Sequence, residues 1–142
     1  MKVNRIGVTR TVYLFKNVVV KIPCMTKGWS NFIRGIMANI NERDTWRWNS
    51  GKYEKGYSDL LCPIIWASWG GWIIIMKRAD PIYIRDFSGI DISEHKKHFP
   101  GDDTMDNFGY YKGKVVKIDY GGLHLWGTDY RDENEHYRNL MV

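Results

Sequence analysis

The chain has 142 residues, an apolar fraction of 44% and a formal net charge of +5. This length and composition indicate a single folded domain with a buried core, and they exclude a disordered protein. The longest apolar stretch, 64–76, is interrupted by two glycines and is too short to cross a bilayer. The N-terminus has no apolar region typical of a secretory signal, and only two cysteines are present. We therefore expect reduced thiols and a cytoplasmic location, with one disulfide between the two cysteines as the alternative.

The charges are distributed unevenly. Residues 1–57 contain 11 Lys and Arg against 3 Asp and Glu, whereas residues 58–142 contain 10 against 13. One interpretation is an anionic ligand held by the basic half, with acidic residues as metal ligands. The other is ordinary variation of surface charge. Of the seven tryptophans, those at 46, 48, 66, 69 and 72 are interpreted as core and hinge packing, although several exposed together would mark a surface for a partner.

The N-terminal half has the pattern of strands followed by a helix. Residues 11–15 and 18–22 are rich in β-branched and aromatic residues and flank a two-residue turn, which predicts a β-hairpin. A further strand is expected over 2–7. Apolar residues then recur at helical spacing from Trp29 to Ile40, which predicts the main helix. The polar stretch 47–58 predicts a loop.

The C-terminal half predicts two more hairpins, at 62–76 and 107–118. A short helix is expected within 82–87 of the segment between them, and another after Thr128. The whole order predicts an α+β fold in which a small antiparallel sheet packs against one main helix.

The third predicted hairpin lies between regularly spaced polar residues. Asp102 precedes Asn107 by five residues, and Asp119-Tyr120-Gly121 follows the hairpin. This segment resembles the catalytic loop and the Asp-Phe-Gly turn of protein kinases. The resemblance implies that Asn107 and Asp119 bind Mg²⁺ through oxygen atoms and that Asp102 orients a substrate hydroxyl or acts as its base.

Other interpretations of these residues remain open. Asp119 before Tyr-Gly-Gly also fits a simple turn after a strand. The acidic run 102–106 also fits a solvated turn, or a cation site unrelated to kinases. Asp103 or Asp106 would replace Asp102 if the register differs.

The segment VVVKIP, 18–23, is similar to the kinase strand V-A-I-K that carries the phosphate-binding lysine. The resemblance implies that Lys21 contacts the nucleotide phosphates and that Glu42, on the predicted helix, orients Lys21. Gly7 and Arg10 match part of the glycine-rich loop and are implied to bind the nucleotide. Alternatively, Lys21 is an edge-strand lysine facing solvent. Glu42 lies about 150° from the centre of the apolar stripe of the helix, so it faces either a cleft or water.

The resemblance spans residues 3–122. It implies one minimal kinase-like domain over 1–142, with an N-lobe-like part at 1–79 and a truncated C-lobe-like part at 80–142. The segment ANINER, 38–43, and the compact size also resemble small proteins of tailed phages, which implies a location in the host cytoplasm. The chain departs from the kinase pattern in three places. It lacks the His-Arg pair directly before Asp102, two of the three glycines of the glycine-rich loop, and an Ala-Pro-Glu motif.

Three functions follow from these patterns. The first is a protein that binds Mg-ATP and transfers phosphate to a host macromolecule. The second is a catalytically silent kinase-like module, or pseudokinase, that binds a host or defence protein; for it, Asp102→Ala leaves the biological activity intact. The third and weakest is nucleic-acid binding through the basic half, for which the sequence holds no recognition motif.

Overall fold

In the computed structural model, the chain is described over residues 2–6, 9–51, 56–101 and 104–121. These residues form a five-stranded sheet, a three-stranded sheet and one long helix, with antiparallel pairing throughout both sheets. The α+β class predicted from the sequence is therefore confirmed. No helix in these ranges combines the length and the apolar character needed to span a membrane.

The five-stranded sheet consists of β1 (Lys2–Ile6), β2 (Arg10–Leu14), β3 (Val18–Pro23), β4 (Ile64–Ala67) and β5 (Ile74–Lys77). Its strand order is β1-β2-β3-β5-β4, in which the hairpins β2–β3 and β4–β5 meet at the centre and β1 lies at one edge. Strand β3 pairs with β2 through the predicted turn and with β5 on its other side, so β3 is an interior strand.

Helix α1 (Trp29–Ser50) connects β3 with β4. It continues into the stretch 47–58, which was predicted as a loop, so the predicted end of the helix was wrong. The polar side chains there bond to the helix itself: Asn49 donates to the carbonyl of Thr45 at 2.8 Å and Ser50 to that of Trp46 at 2.6 Å. Both side chains therefore bond back onto the last turns of the helix, at carbonyls that also accept backbone hydrogen bonds four residues on.

The face of α1 that packs most closely is its polar one. The fully buried helix residues are Gly35, Asn39, Asn41 and Glu42, whereas Trp29 and Ile33 on the apolar stripe are exposed. Gly35 explains part of this orientation, because a Cβ there would lie 2.2 Å from the carbonyl oxygen of Thr9. The missing side chain lets the helix approach the backbone beside β2 and β3.

The second sheet contains the predicted third hairpin. Strands β7 (Phe108–Tyr111) and β8 (Lys114–Lys117) are joined by Lys112 and Gly113, which both have positive φ as tight hairpin turns require. A short strand β6 (Asp80–Pro81) pairs with β7. Helix α2 (Ile84–Phe87) lies in the expected place, α3 (Ser93–His98) was not predicted, and the helix expected after Thr128 lies outside the described residues.

A buried cluster joins the two sheets. The backbone N–H of Cys62 donates to the backbone carbonyl of Lys117 on β8 at 2.9 Å, and the Tyr120 hydroxyl donates to the carbonyl of Cys62 at 2.8 Å. Both cysteines are free thiols, and burial raises the pKa of Cys62 to about 12. The second sheet is thereby fixed to the edge of the first. The members of the cluster are Leu61, Cys62, Ile74, Met76, Val116 and Tyr120.

The close approach at Gly35 can be tested by Gly35→Ala. Alanine favours a helix by about 1 kcal/mol over glycine, but here its methyl group would collide with backbone. We expect the free energy of unfolding to fall by about 2 kcal/mol in urea denaturation. Gly89→Ala is the control, because the nearest atom to its Cβ would be 3.7 Å away. Equal stability of the two variants would contradict the tight contact.

Candidate functional site

Lys21 points into the protein rather than into solvent. Along β3 the buried positions alternate and include Val19, Lys21 and Pro23. The Lys21 ammonium donates to Glu42 Oε1 at 2.6 Å and to the carbonyl of Ile118 at 2.6 Å. The alternative of an edge-strand lysine is therefore wrong, because β3 is an interior strand and the side chain is buried.

Glu42 is completely buried, with 0% of its side chain exposed. Its two carboxylate oxygens have different partners: Oε1 accepts from Lys21, and Oε2 accepts from the Arg10 guanidinium. A buried carboxylate needs such charged partners, because water no longer solvates it. The helix face that carries Glu42 thus points at two cations from the sheet and not at water.

Arg10, the first residue of β2, bridges two carboxylates. One nitrogen contacts Glu42 and lies 3.2 Å from Asn39 Oδ1, and the other donates to Asp119 Oδ1 at 2.5 Å. Burial opposes the charged form of Arg10, but the two carboxylates outweigh it and hold the pKa above its ordinary value. The resemblance implied that Arg10 lies in a loop and binds the nucleotide. In the structure, its side chain instead neutralises the carboxylates of Glu42 and Asp119.

Asp119 follows β8 and is the most accessible of these groups, with 44% of its side chain exposed. Burial alone would raise the pKa of Asp119, but Arg10, Lys21 and a backbone hydrogen bond from Gly121 hold it at about 2. Its carboxylate is therefore ionised at neutral pH. We refer to Arg10, Lys21, Glu42 and Asp119 as the charge cluster, in which two cations balance two anions.

Two further residues shape the cluster; motif matching included Gly121 and missed Asn39. Asn39 is buried, accepts from Arg10, and donates to the carbonyl of Gly71 at 2.9 Å. Its place three residues before Glu42, on the same helix face, was the available sequence indication. Gly121 allows the turn after β8 to reach α1, because a Cβ there would lie 2.4 Å from the Ala38 carbonyl oxygen.

Asn107 lies at the same end of the β7–β8 hairpin as Asp119. It is buried at the end of the 3₁₀ turn Met105–Asn107, and its carbonyl accepts from the N–H of Ile118 at 2.8 Å. Gly7 and Asp102 lie outside the described residues, as does Asp103. Within the described ranges, no three His, Cys, Asp or Glu side chains are grouped to hold a metal ion.

No model of a known protein family matches the chain, and no characterised protein or solved structure is detectably similar to it. A function therefore has to be argued from the charge cluster itself. The cluster joins four segments that are distant in sequence: β2, β3, α1 and the turn after β8. The cluster is inaccessible to solvent at Glu42 and accessible at Asp119. An external ligand would therefore approach it at Asp119.

The importance of the buried carboxylate can be tested by Glu42→Ala. This change leaves Arg10 and Lys21 as buried cations with too few partners, so we expect the free energy of unfolding to fall by about 3–5 kcal/mol. Urea denaturation measures the loss. Glu94→Ala, at an exposed position, should change stability by less than about 0.5 kcal/mol.

A double variant separates charge from packing. Lys21→Met/Glu42→Leu removes one cation and one anion and leaves Arg10 with Asp119, so it should be more stable than Glu42→Ala. If the double variant were the less stable of the two, ion pairing would not be the dominant role of Glu42.

The low pKa of Asp119 predicts a defined acid sensitivity. Because the pKa falls from 3.8 to about 2 on folding, the ionised group stabilises the fold above about pH 4, and this contribution is lost as the pH falls toward 2. We expect Asp119→Asn to lower the melting temperature at pH 5 and to flatten its dependence on pH between 4 and 2. Asp86→Asn, at an exposed carboxylate, serves as the control and should follow the wild type. Parallel curves for Asp119→Asn and the wild type would contradict the assignment.

Proposed function

We propose that this chain is a kinase-like domain that binds a magnesium-bound nucleotide at the charge cluster. The observation that carries the proposal is the ion pair between Lys21 on β3 and Glu42 on α1. Protein kinases use a lysine on their third strand and a glutamate on the following helix in the same way. The sequence motifs and the ion pair are separate observations that agree on the same two residues.

The arrangement around the ion pair also supports a kinase-like organisation. One long helix lies between the third and fourth strands of a five-stranded antiparallel sheet, as expected for an N-lobe-like part at 1–79. The β7–β8 hairpin then leads into Asp119-Tyr120-Gly121, as expected for a truncated C-lobe-like part. Lys21 also bonds to the carbonyl of Ile118, which holds the lysine beside that turn.

Each residue then has a role in the proposal. Lys21, oriented by Glu42, would bind the phosphates, and Gly7 and Arg10 are proposed to contact the nucleotide beside it. Asp119 is ionised and partly exposed, and with Asn107 it offers the oxygen atoms that Mg²⁺ prefers. Mg²⁺ would neutralise charge on the transferred phosphate. Asp102 is proposed as the group that orients the acceptor hydroxyl.

The contacts of Arg10 impose a requirement on nucleotide binding. Its guanidinium already occupies Asp119 Oδ1 and Glu42 Oε2, so a metal-bound nucleotide has to compete with it for Asp119. Phosphate oxygens are good bidentate partners for arginine. In the proposed bound state, Arg10 exchanges Asp119 for a phosphate group.

A second candidate function rests on the same contact. If Arg10 is never displaced, the charge cluster is a structural crosslink with no net charge, and the protein is a catalytically silent kinase-like module. Such a module would act by binding a host protein. Asp102→Ala separates the two functions, because it abolishes phosphate transfer in the first and leaves the activity intact in the second.

Nucleotide binding can be tested by melting the protein with and without millimolar Mg-ATP. A ligand at 100 times its dissociation constant adds about 2.7 kcal/mol to stability, which raises the melting temperature by several degrees. We expect this rise for the wild type and for Asp86→Asn, and its loss in Asp119→Asn. ATP with EDTA replaces Mg-ATP as the control for the metal.

The outcomes separate the two candidate functions. A rise that requires Mg²⁺ and Asp119 supports the nucleotide site. No rise for the wild type at millimolar Mg-ATP contradicts it and leaves the silent module. A rise that persists in Asp119→Asn would mean that nucleotide binds somewhere other than the charge cluster.

A further inference from the structure

Three tryptophans and a phenylalanine form an exposed surface beside α1. Trp29 stacks on Phe32 with ring centroids 5.4 Å apart, and Phe32 contacts Trp72 at 5.5 Å. Trp29 is 75% exposed, Trp72 50% and Trp69 93%. We call Trp29, Phe32, Trp69 and Trp72 the aromatic surface. The interpretation as core packing holds for Trp46, which contacts the buried cluster, and was wrong for the tryptophans at 48, 66, 69 and 72, which are exposed.

The aromatic surface is held in place by its backbone. The turn between β4 and β5 lies along α1, and a Cβ on Gly71 would be 2.6 Å from the carbonyl oxygen of Ile36. Gly71 also has a positive φ of 76°. Arg43 on α1 donates to the carbonyl of Trp69 at 2.7 Å. The rings are therefore presented from two elements that are fixed to each other.

The charges around the aromatic surface are mostly positive. Lys27 precedes Trp29 at one end, and Arg43 lies at the other end beside Trp69. Arg47 lies on the same helix face as Trp29, since 18 residues make five turns. The one carboxylate nearby in the helix is Asp44, which is paired with Arg43 at 2.9 Å. No acidic residue occurs in residues 1–41.

The number of cations decides between two kinds of anionic partner. A protein that contacts a nucleic-acid backbone along its length can neutralise roughly 6–10 phosphates, whereas this surface offers two exposed cations, Lys27 and Arg47, because Arg43 is only 14% exposed and is paired with Asp44. Exposed Trp and Phe with a few Arg and Lys residues at the margin instead match the composition of protein–protein contact sites. We propose that the aromatic surface binds a segment of a partner protein that carries both apolar and acidic side chains.

This inference goes beyond the nucleotide site and does not require it. Glu42 lies on a different face of α1 from the apolar stripe that carries Trp29 and Phe32, so partner and nucleotide would occupy separate sides of the helix. A change in the aromatic surface should leave any Mg-ATP effect on the melting temperature unchanged. The two proposals can therefore fail independently.

The chemical character of the partner segment can be inferred from the sequences of peptides that are selected for binding to the protein. A random-sequence peptide library would be selected on the full chain and counter-selected on Trp29→Ala/Trp72→Ala. We expect the recovered peptides to have a net negative charge together with Leu, Ile or aromatic residues. Their affinity, measured by titration, should fall by roughly tenfold or more for that double variant.

Matched variants test each part of the surface. Lys27→Glu/Arg47→Glu should weaken binding by a similar factor, while Lys96→Glu/Lys97→Glu on α3 should not. Tyr83→Ala is the aromatic control, because Tyr83 is 63% exposed but precedes α2 and lies outside both α1 and the β4–β5 turn. Each variant should keep the wild-type melting temperature within a few degrees, since the changed side chains are exposed.

Three results would overturn the proposal. One is recovery of neutral or basic peptides, or of none that distinguish the wild type from Trp29→Ala/Trp72→Ala. Another is binding of oligo-dT that depends on Trp29, which would assign the surface to nucleic acid. The third is self-association in sedimentation that Trp29→Ala abolishes, which would make a second copy the occupant.

Discussion

Glu42 is a carboxylate without access to water, and two cations from neighbouring strands neutralise its charge. Lys21 reaches it from β3 and Arg10 from β2. Each of these cations then extends to the turn after β8, Lys21 through the carbonyl of Ile118 and Arg10 through Asp119. Because an isolated charge in the interior is so unfavourable, these segments are constrained together.

This constraint also bears on activity. A site that transfers phosphate has to present its charges to a ligand, whereas a structural crosslink has to satisfy them internally. In this chain the same four side chains are satisfied internally, and only Asp119 remains partly exposed. The exchange of Arg10 between Asp119 and an incoming phosphate is therefore the step on which nucleotide binding depends.

The parts of the structure that local patterns determine were predictable from the sequence. The hairpins followed from β-branched runs around short turns, and the α+β class followed from their order. The pairing of Lys21 with Glu42 was implied by the resemblance to kinases and not by spacing. Periodicity did not identify the buried face of α1, because a pattern of apolar residues assigns polar residues such as Asn39 to the outside.

The other features that the sequence did not predict have a common cause. The role of Arg10 depends on a partner 109 residues away, and no local pattern encodes such a contact. The exposure of Trp69 and Trp72 depends on the turn at Gly71, whose place against α1 is set by a close backbone approach. Long-range contacts of this kind arise only when the whole chain has folded.

Because the charge cluster joins residues that are far apart in the sequence, it affects whether a shortened fragment of the chain can fold. Arg10, Lys21 and Glu42 all precede β4, whereas Asp119 follows the last described strand. Any fragment that ends before Asp119 keeps two buried cations and a single carboxylate. The N-terminal sheet and α1 are therefore not an electrostatically self-sufficient unit, and their charge balance is restored only when the β7–β8 hairpin docks and brings its turn to Arg10.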